Sequence, residues 1–160
     1  MKQATREFLE SSLQDLRSLE SWLRRSYELC LPVCGKSSLQ PEDYDAIENL
    51  TSRYARTIDL LVRKLFRAID AFELETGGSL LDTVLRAEKR GLIPSSEQVR
   101  LMTELRNEIV HDYAHPHLEA LFGDVMESTP AVFEIMEKTQ AYSQNILSKT
   151  PPYEIRTENS

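Results

Sequence analysis

From Glu42 to Thr76 the chain contains neither proline nor glycine. Within that stretch Ile47, Leu50, Tyr54, Ile58, Leu61, Leu65, Ile69 and Phe72 recur at intervals of three and four. An apolar stripe at that period predicts an amphipathic helix. Pro41 fits its first turn by its preset φ, and Glu42 and Asp43 favour the positive end of the helix dipole. The helix is expected to run from 41 to about Leu74, with Gly77-Gly78 as its stop. A rod of that length needs other helices along its apolar side, and this constrains the fold more than any other feature of the sequence.

The remaining segments supply such helices. Leu9, Leu13, Leu16, Leu19, Leu23 and Tyr27 mark a first helix from about 3 to 31, ended by Pro32, with a polar connector from 33 to 40. A short third helix from Ser79 to Arg90 is expected to bury Leu80, Leu81, Val84 and Leu85. Ser79 is its N-cap, with Asp82 three residues on, and Gly91 closes it. Ser95 and Gln98 form a capping-box pair at the start of a fourth helix, whose apolar face is Val99, Met102, Leu105, Ile109 and Val110. Pro116 sets its outer limit or a kink. A fifth helix spans about 117 to 148, with Pro130 as a potential kink, and a polar tail occupies 151 to 160. No segment has strand periodicity. The fold class is all-α: an antiparallel up-and-down bundle of about five helices in a single domain, 1–150.

Composition limits the functions open to it. A formal charge of -7 disfavours generic nucleic-acid binding, so any RNA contact needs a local basic patch. Cys30 and Cys34 have neither redox-pair spacing nor the numbers for a disulfide framework, and read as free thiols. With no apolar leader and no membrane-length apolar run, the expectation is a cytoplasmic protein without membrane contact.

The chemistry concentrates in Arg106-Asn107-Glu108-Ile109-Val110-His111-Asp112-Tyr113. Arg106 and Tyr113 are seven apart and share a helical face about 10.5 Å long. Val99, Met102 and Val110 occupy that face too, so Arg106 points toward packing, where a permanent charge is costly unless paired. His111 lies about 140° round from Arg106 on a regular helix. For both to reach one phosphate, either the helix loosens near His111 or a second chain brings its own copies to the same cleft. Histidine can move a proton near neutral pH, and arginine can stabilise charge on phosphate oxygens. Asn107 is a candidate phosphate-contacting or orienting amide.

The pattern Arg-x-x-x-x-His-x-Tyr resembles the signature of the HEPN superfamily, in the form found in HepT-type ribonuclease toxins. The resemblance implies a HEPN-like bundle, a homodimer, and RNA cleavage without metal or other cofactor, through Arg106, Asn107, His111 and Tyr113. It further implies a nucleotidyltransferase antitoxin as partner, which adds AMP to Tyr113. Some HEPN-like proteins are instead non-catalytic nucleotide- or substrate-binding partners of nucleotidyltransferases. The acidic charge and the Ala114-His115-Pro116-His117 continuation leave that alternative open, along with a purely structural helical interaction protein.

Arg53, Arg56, Arg63 and Arg67, spaced by three, seven and four on the second helix, are candidate RNA-binding residues on one flank. A solvated face paired with neighbouring acids is the competing explanation. His111, His115 and His117, with Asp112 and Asp124 nearby, have the residue types of a metal site. Pro116 breaks the i, i+4 geometry, and no metal is expected.

Overall fold

The computed structural model describes residues 2–111 and 115–152, with the backbone alone for 115–117. Among the described residues all regular structure is helical: α1 (Lys2–Cys30), α2 (Pro41–Asp59), a π-helical turn (Leu60–Leu65), α3 (Phe66–Phe72), α4 (Leu80–Lys89), α5 (Ser96–His111) and α6 (His115–Lys149), with a short 3-10 turn at Leu31–Val33. The segments α2, π turn and α3 join without a gap and form the expected rod. This gives five rods and an all-α bundle.

Side-chain pairs fix the direction of each rod. Along the rod from 41 to 72, Ala46 accepts from the Cys30 thiol, Arg53 donates to Ser26, and Lys64 meets Asp15. Numbers rise on one helix as they fall on the other, so α1 is antiparallel to the rod. The same holds between α1 and α6, where Gln140 donates to Glu20 at 2.5 Å and Arg6 donates to the Leu147 carbonyl at 3.4 Å. By contrast Tyr54 meets Ser128 and Glu73 meets Tyr142, so α6 runs parallel to the rod. Val62 lies beside Val99, and Ala55 beside Ile109, which sets α5 antiparallel to the rod. The result is an up-down-up-down bundle, with the short α4 joining the rod's far end to α5.

The core forms along the rod's stripe. Leu50, Tyr54, Ile58, Leu61, Leu65 and Ile69 are all buried, against Leu9, Leu13, Leu16 and Leu23 of α1 and Val125, Val132 and Met136 of α6, while Ile47 is buried in a smaller cluster with Val33 and Leu118. Tyr54 is fully enclosed, and burial pushes its phenol up to about 12, while its hydrogen bond with Ser128 at 2.7 Å acts the other way. Loss of exposed apolar area on this scale is the main favourable term in folding.

Three details depart from expectation. The rod is not regular: the Phe66 N–H donates to the carbonyl of Leu61, five residues back. That widened turn brings Phe66 onto the same face as Leu61 and buries it at 1% exposure, a position outside the expected stripe. Of the four leucine and valine positions expected to be buried on α4, Val84 is buried and Leu80 half-buried. Leu81 and Leu85 are 61% and 42% exposed, because the ten-residue α4 is covered along one narrow side only. And α6 begins at His115, which places Pro116 in its first turn, where a missing N–H costs nothing. The helix then continues across Pro130.

Helix ends show which signals were readable. Ser79 caps α4 by accepting from the Asp82 N–H at 3.3 Å, and the Asp82 carboxylate accepts from the Ser79 N–H at 2.6 Å. Ser95 accepts from the Gln98 N–H at 3.1 Å. Gly91, at φ 76°, closes α4 while the Leu92 N–H reaches back to Ala87. The rod, however, stops at Phe72, short of the two glycines, and Leu74 takes the left-handed position at φ 62°. The Glu75 N–H donates to Asp70 and the Leu74 N–H to Ala71, the same closure built on a residue poorly suited to it.

Across this turn lies a buried ionic network. Asp70 is 4% exposed and accepts from Arg86 at 2.9 Å and from Arg90 at 2.5 Å. Arg90 also reaches Glu73 at 3.0 Å, and the Tyr142 hydroxyl donates to Glu73 at 2.6 Å. The network fastens α4 and α6 to the end of the rod, which holds Leu74 in place despite its backbone strain. Leu74 is 72% exposed, so its side chain gives little in return. Leu74→Gly is therefore expected to raise stability by about 1 kcal/mol, seen as a Tm increase of roughly 2–4 °C. An unchanged or lower Tm in a thermal melt would show that this conformation carries no strain.

Candidate functional site

The Ser95 cap starts α5, and the helix stays regular as far as His111. Val99, Met102 and Ile109 anchor it to the core. Arg106 lies on the half-buried border of that face, its side chain 21% exposed. Its guanidinium reaches the rod, where Nη2 donates to Asp59 Oδ2 at 2.8 Å. Nη1 donates to the Asn107 side-chain oxygen at 3.1 Å. Nε is buried and has no partner among the described residues. The pairing that a permanent charge requires at this position is thus supplied by a carboxylate on another helix.

Asp59 is the last residue of α2, where the π turn begins. Its Oδ1 stands 3.7 Å from Arg63 Nε, so one carboxylate faces two guanidiniums. Beside it a cleft of about 500 Å³ opens between the rod, the end of α5 and the start of α6. Ala55, Ile109, Val110 and Leu118 give it an apolar floor, and Glu48, Arg56 and Asp59 give it charge. A pocket of this kind, apolar with a few polar groups, has the character of an organic-ligand site.

The other expected residues have different settings. Asn107 and His111 are both exposed, the latter as the final residue of α5. Because the helix is unbroken to His111, Arg106 and His111 stay about 140° apart within one chain. The helix does not loosen before His111, and the two side chains do not converge within one chain. Tyr113, the expected modification site, lies outside the described residues, as do Asp112 and the side chains of His115 and His117. Among the described residues no group of three or more His, Cys, Asp or Glu could hold a metal ion.

The four arginines of the rod do not share one setting. Arg53 turns toward α1: it donates to Ser26 at 2.6 Å, and its guanidinium lies 4.9 Å from the centre of the Trp22 ring. Arg56 lines the cleft beside Arg106's partner, and Arg63 is exposed next to Asp59. Arg67 lines a separate hollow of about 210 Å³ with Asp70 and Arg86. The π turn adds a residue to the helical repeat, so the residues beyond it are rotated by roughly a quarter turn relative to a regular helix. Spacings counted across residues 60–65 therefore mislead.

Sequence reasoning overlooked Asp59 as the partner of Arg106 and missed the Asp70 network. The signals were weak: an acid four residues before Arg63, and an acid beside a buried isoleucine. Neither cysteine belongs to the cleft. Cys30 is buried and donates to the Ala46 carbonyl, whereas Cys34 is exposed.

Comparison with family models, with curated proteins and with solved structures gives no match for this chain. The class defined by the structure is an all-α helical bundle in which no helix of the described residues is long and apolar enough to cross a membrane.

Burial, and secondarily Cys34, pushes the Cys30 thiol up to about 11. Thiolate is the reactive form, so Cys30 is shielded twice. Alkylation of the folded protein by iodoacetamide near neutral pH is expected to give one adduct, at Cys34, by mass spectrometry. A second adduct at Cys30 without unfolding would contradict the buried assignment.

Proposed function

We propose that this protein is a HEPN-type, metal-independent ribonuclease that works as a homodimer and is the toxin of a toxin–antitoxin pair. The observation that carries the proposal is the half-buried guanidinium of Arg106 at the edge of the cleft, with Asn107 beside it and His111 exposed at the end of the same helix. An arginine so placed is suited to grip a phosphodiester, and an exposed histidine at a helix end is free to exchange protons.

In the reaction proposed, the ribose 2′-oxygen attacks the adjacent phosphorus. The 2′-O–P bond forms and the P–O5′ bond breaks, giving a 2′,3′-cyclic phosphate and a 5′-hydroxyl. The 2′-hydroxyl proton passes to the imidazole of His111, and the imidazolium so formed gives a proton to the leaving 5′-oxygen. Arg106 stabilises charge on the non-bridging oxygens, and Asn107 holds the phosphate in place. Two chains meeting at this face would set Arg106 of one opposite His111 of the other, the proton carrier. The partner that restrains the toxin is proposed to be a nucleotidyltransferase adding AMP to Tyr113, which would put negative charge where the RNA backbone has to lie.

The pairing of Arg106 with Asp59 and the carboxylate in the cleft wall favour a second reading, a non-catalytic nucleotide-binding partner of a nucleotidyltransferase. Cleavage assays separate the two. Purified protein is expected to cut RNA in the presence of a chelator and leave cyclic phosphate ends. Arg106→Ala and His111→Ala should each lower the rate by at least ~100-fold while circular dichroism stays helical. RNA cut equally well by both variants would exclude this site, and intact RNA with wild-type protein would favour the binding partner.

A further inference from the structure

We infer that Asp59 is a positioning residue of this site and an internal competitor for the phosphate that Arg106 binds, an inference that rests on the ribonuclease reading of Arg106. One edge of the guanidinium, formed by Nε and Nη2, can hold two oxygens at once. In the structure Asp59 uses half of it. Oδ2 takes Nη2 at 2.8 Å, and Nε on the same edge is buried with no partner among the described residues. Asp59 as placed presents one oxygen to that edge, whereas phosphate can present two. The Nη2 N–H is not free for phosphate while Asp59 stays in place.

The structure also provides somewhere for Asp59 to go. Its other oxygen, Oδ1, already lies 3.7 Å from Nε of Arg63, beyond hydrogen-bond distance but close enough for attraction. Arg63 is one helical turn away, and its side chain is 60% exposed. A small rotation of the carboxylate would turn that loose contact into a full ion pair and release Arg106. Without such a cation, the displaced carboxylate would stand unneutralised beside the incoming phosphate, and like charges at that range repel. Arg63 thus acts through Asp59.

The backbone supports the same assignment. Asp59 is the last α-helical residue before the π turn, and Arg63 lies within it. Such turns concentrate at functional sites, where they re-aim side chains. In the resting chain, Asp59 keeps Arg106 neutralised and oriented in its half-buried setting. When RNA binds, the phosphate replaces one carboxylate oxygen with two of its own.

The test is a titration of the full-length protein with inorganic phosphate, tracking the Arg106 side-chain N–H resonances by NMR, with Arg106→Lys to assign them. Asp59→Asn is expected to bind phosphate about tenfold more tightly than wild type, a change of about 1.4 kcal/mol. Asp59→Glu should return affinity to the wild-type range, and Arg63→Gln should weaken it severalfold. In RNA cleavage, Asp59→Asn should lower KM and kcat together, and Asp59→Glu should restore kcat. Phosphate affinity in Asp59→Asn no tighter than in wild type overturns the inference. If that variant does not fold, Arg63→Gln, at an exposed position, decides by itself: affinity equal to wild type overturns the inference. If no protein cleaves RNA, the ribonuclease reading falls, and the phosphate titration still decides the role of Asp59.

Discussion

The helical rod from 41 to 72 must be kept dry along one face for its whole length, and the rest of the molecule is arranged to do so. α1 and α5 run against it in the opposite sense, α6 runs with it, and α4 closes its far end. The face is too long for a straight helix to present evenly to these neighbours. The π turn at Leu60–Leu65 resets the register midway, so Leu61, Leu65 and Phe66 all reach the core. The same irregularity fixes where Asp59 and Arg63 stand, and through Asp59 it fixes the guanidinium of Arg106. The packing of the rod and the geometry of the cleft therefore share one cause.

Much of the fold could be read from the residues. The stripes of leucine, isoleucine and valine located every rod, and Ser79, Ser95 and Gly91 marked ends that the structure places within a residue or two. The features that were not legible had no local signal. A π turn has no characteristic residue, and nothing in Leu60 to Leu65 breaks the helical pattern. Leu74 closes the rod where glycine would be expected, because the Asp70 network holds the turn from outside it. Leu81 and Leu85 are apolar by type and exposed by position, since α4 is too short and peripheral to be covered all round.

The site was legible in a different way. Arg106 was marked as needing a partner by the apolar residues sharing its face, yet the identity of that partner depends on which residue of the rod comes opposite α5. That is a tertiary fact, and the answer is Asp59. The four arginines of the rod group together when counted along a regular helix, but before the π turn Arg53 already faces α1 and Arg56 the cleft, and beyond it Arg67 lines the hollow by Asp70. Arg56 and Arg63 remain near Asp59, the partner of Arg106.

The unbroken α5 makes a sharper demand. Arg106 and His111 cannot serve one phosphate within a single chain while the helix stays regular to His111, so the proposed ribonuclease needs its arginine from one copy and its histidine from another. Mixing two inactive proteins, Arg106→Ala and His111→Ala, under conditions that let subunits exchange measures this directly. In the mixed dimer one intact arginine faces one intact histidine across the interface, and RNA cleavage should return to a substantial fraction of the wild-type rate. A mixture as inactive as its components, with subunit exchange demonstrated, would contradict the shared cleft and the function built on it.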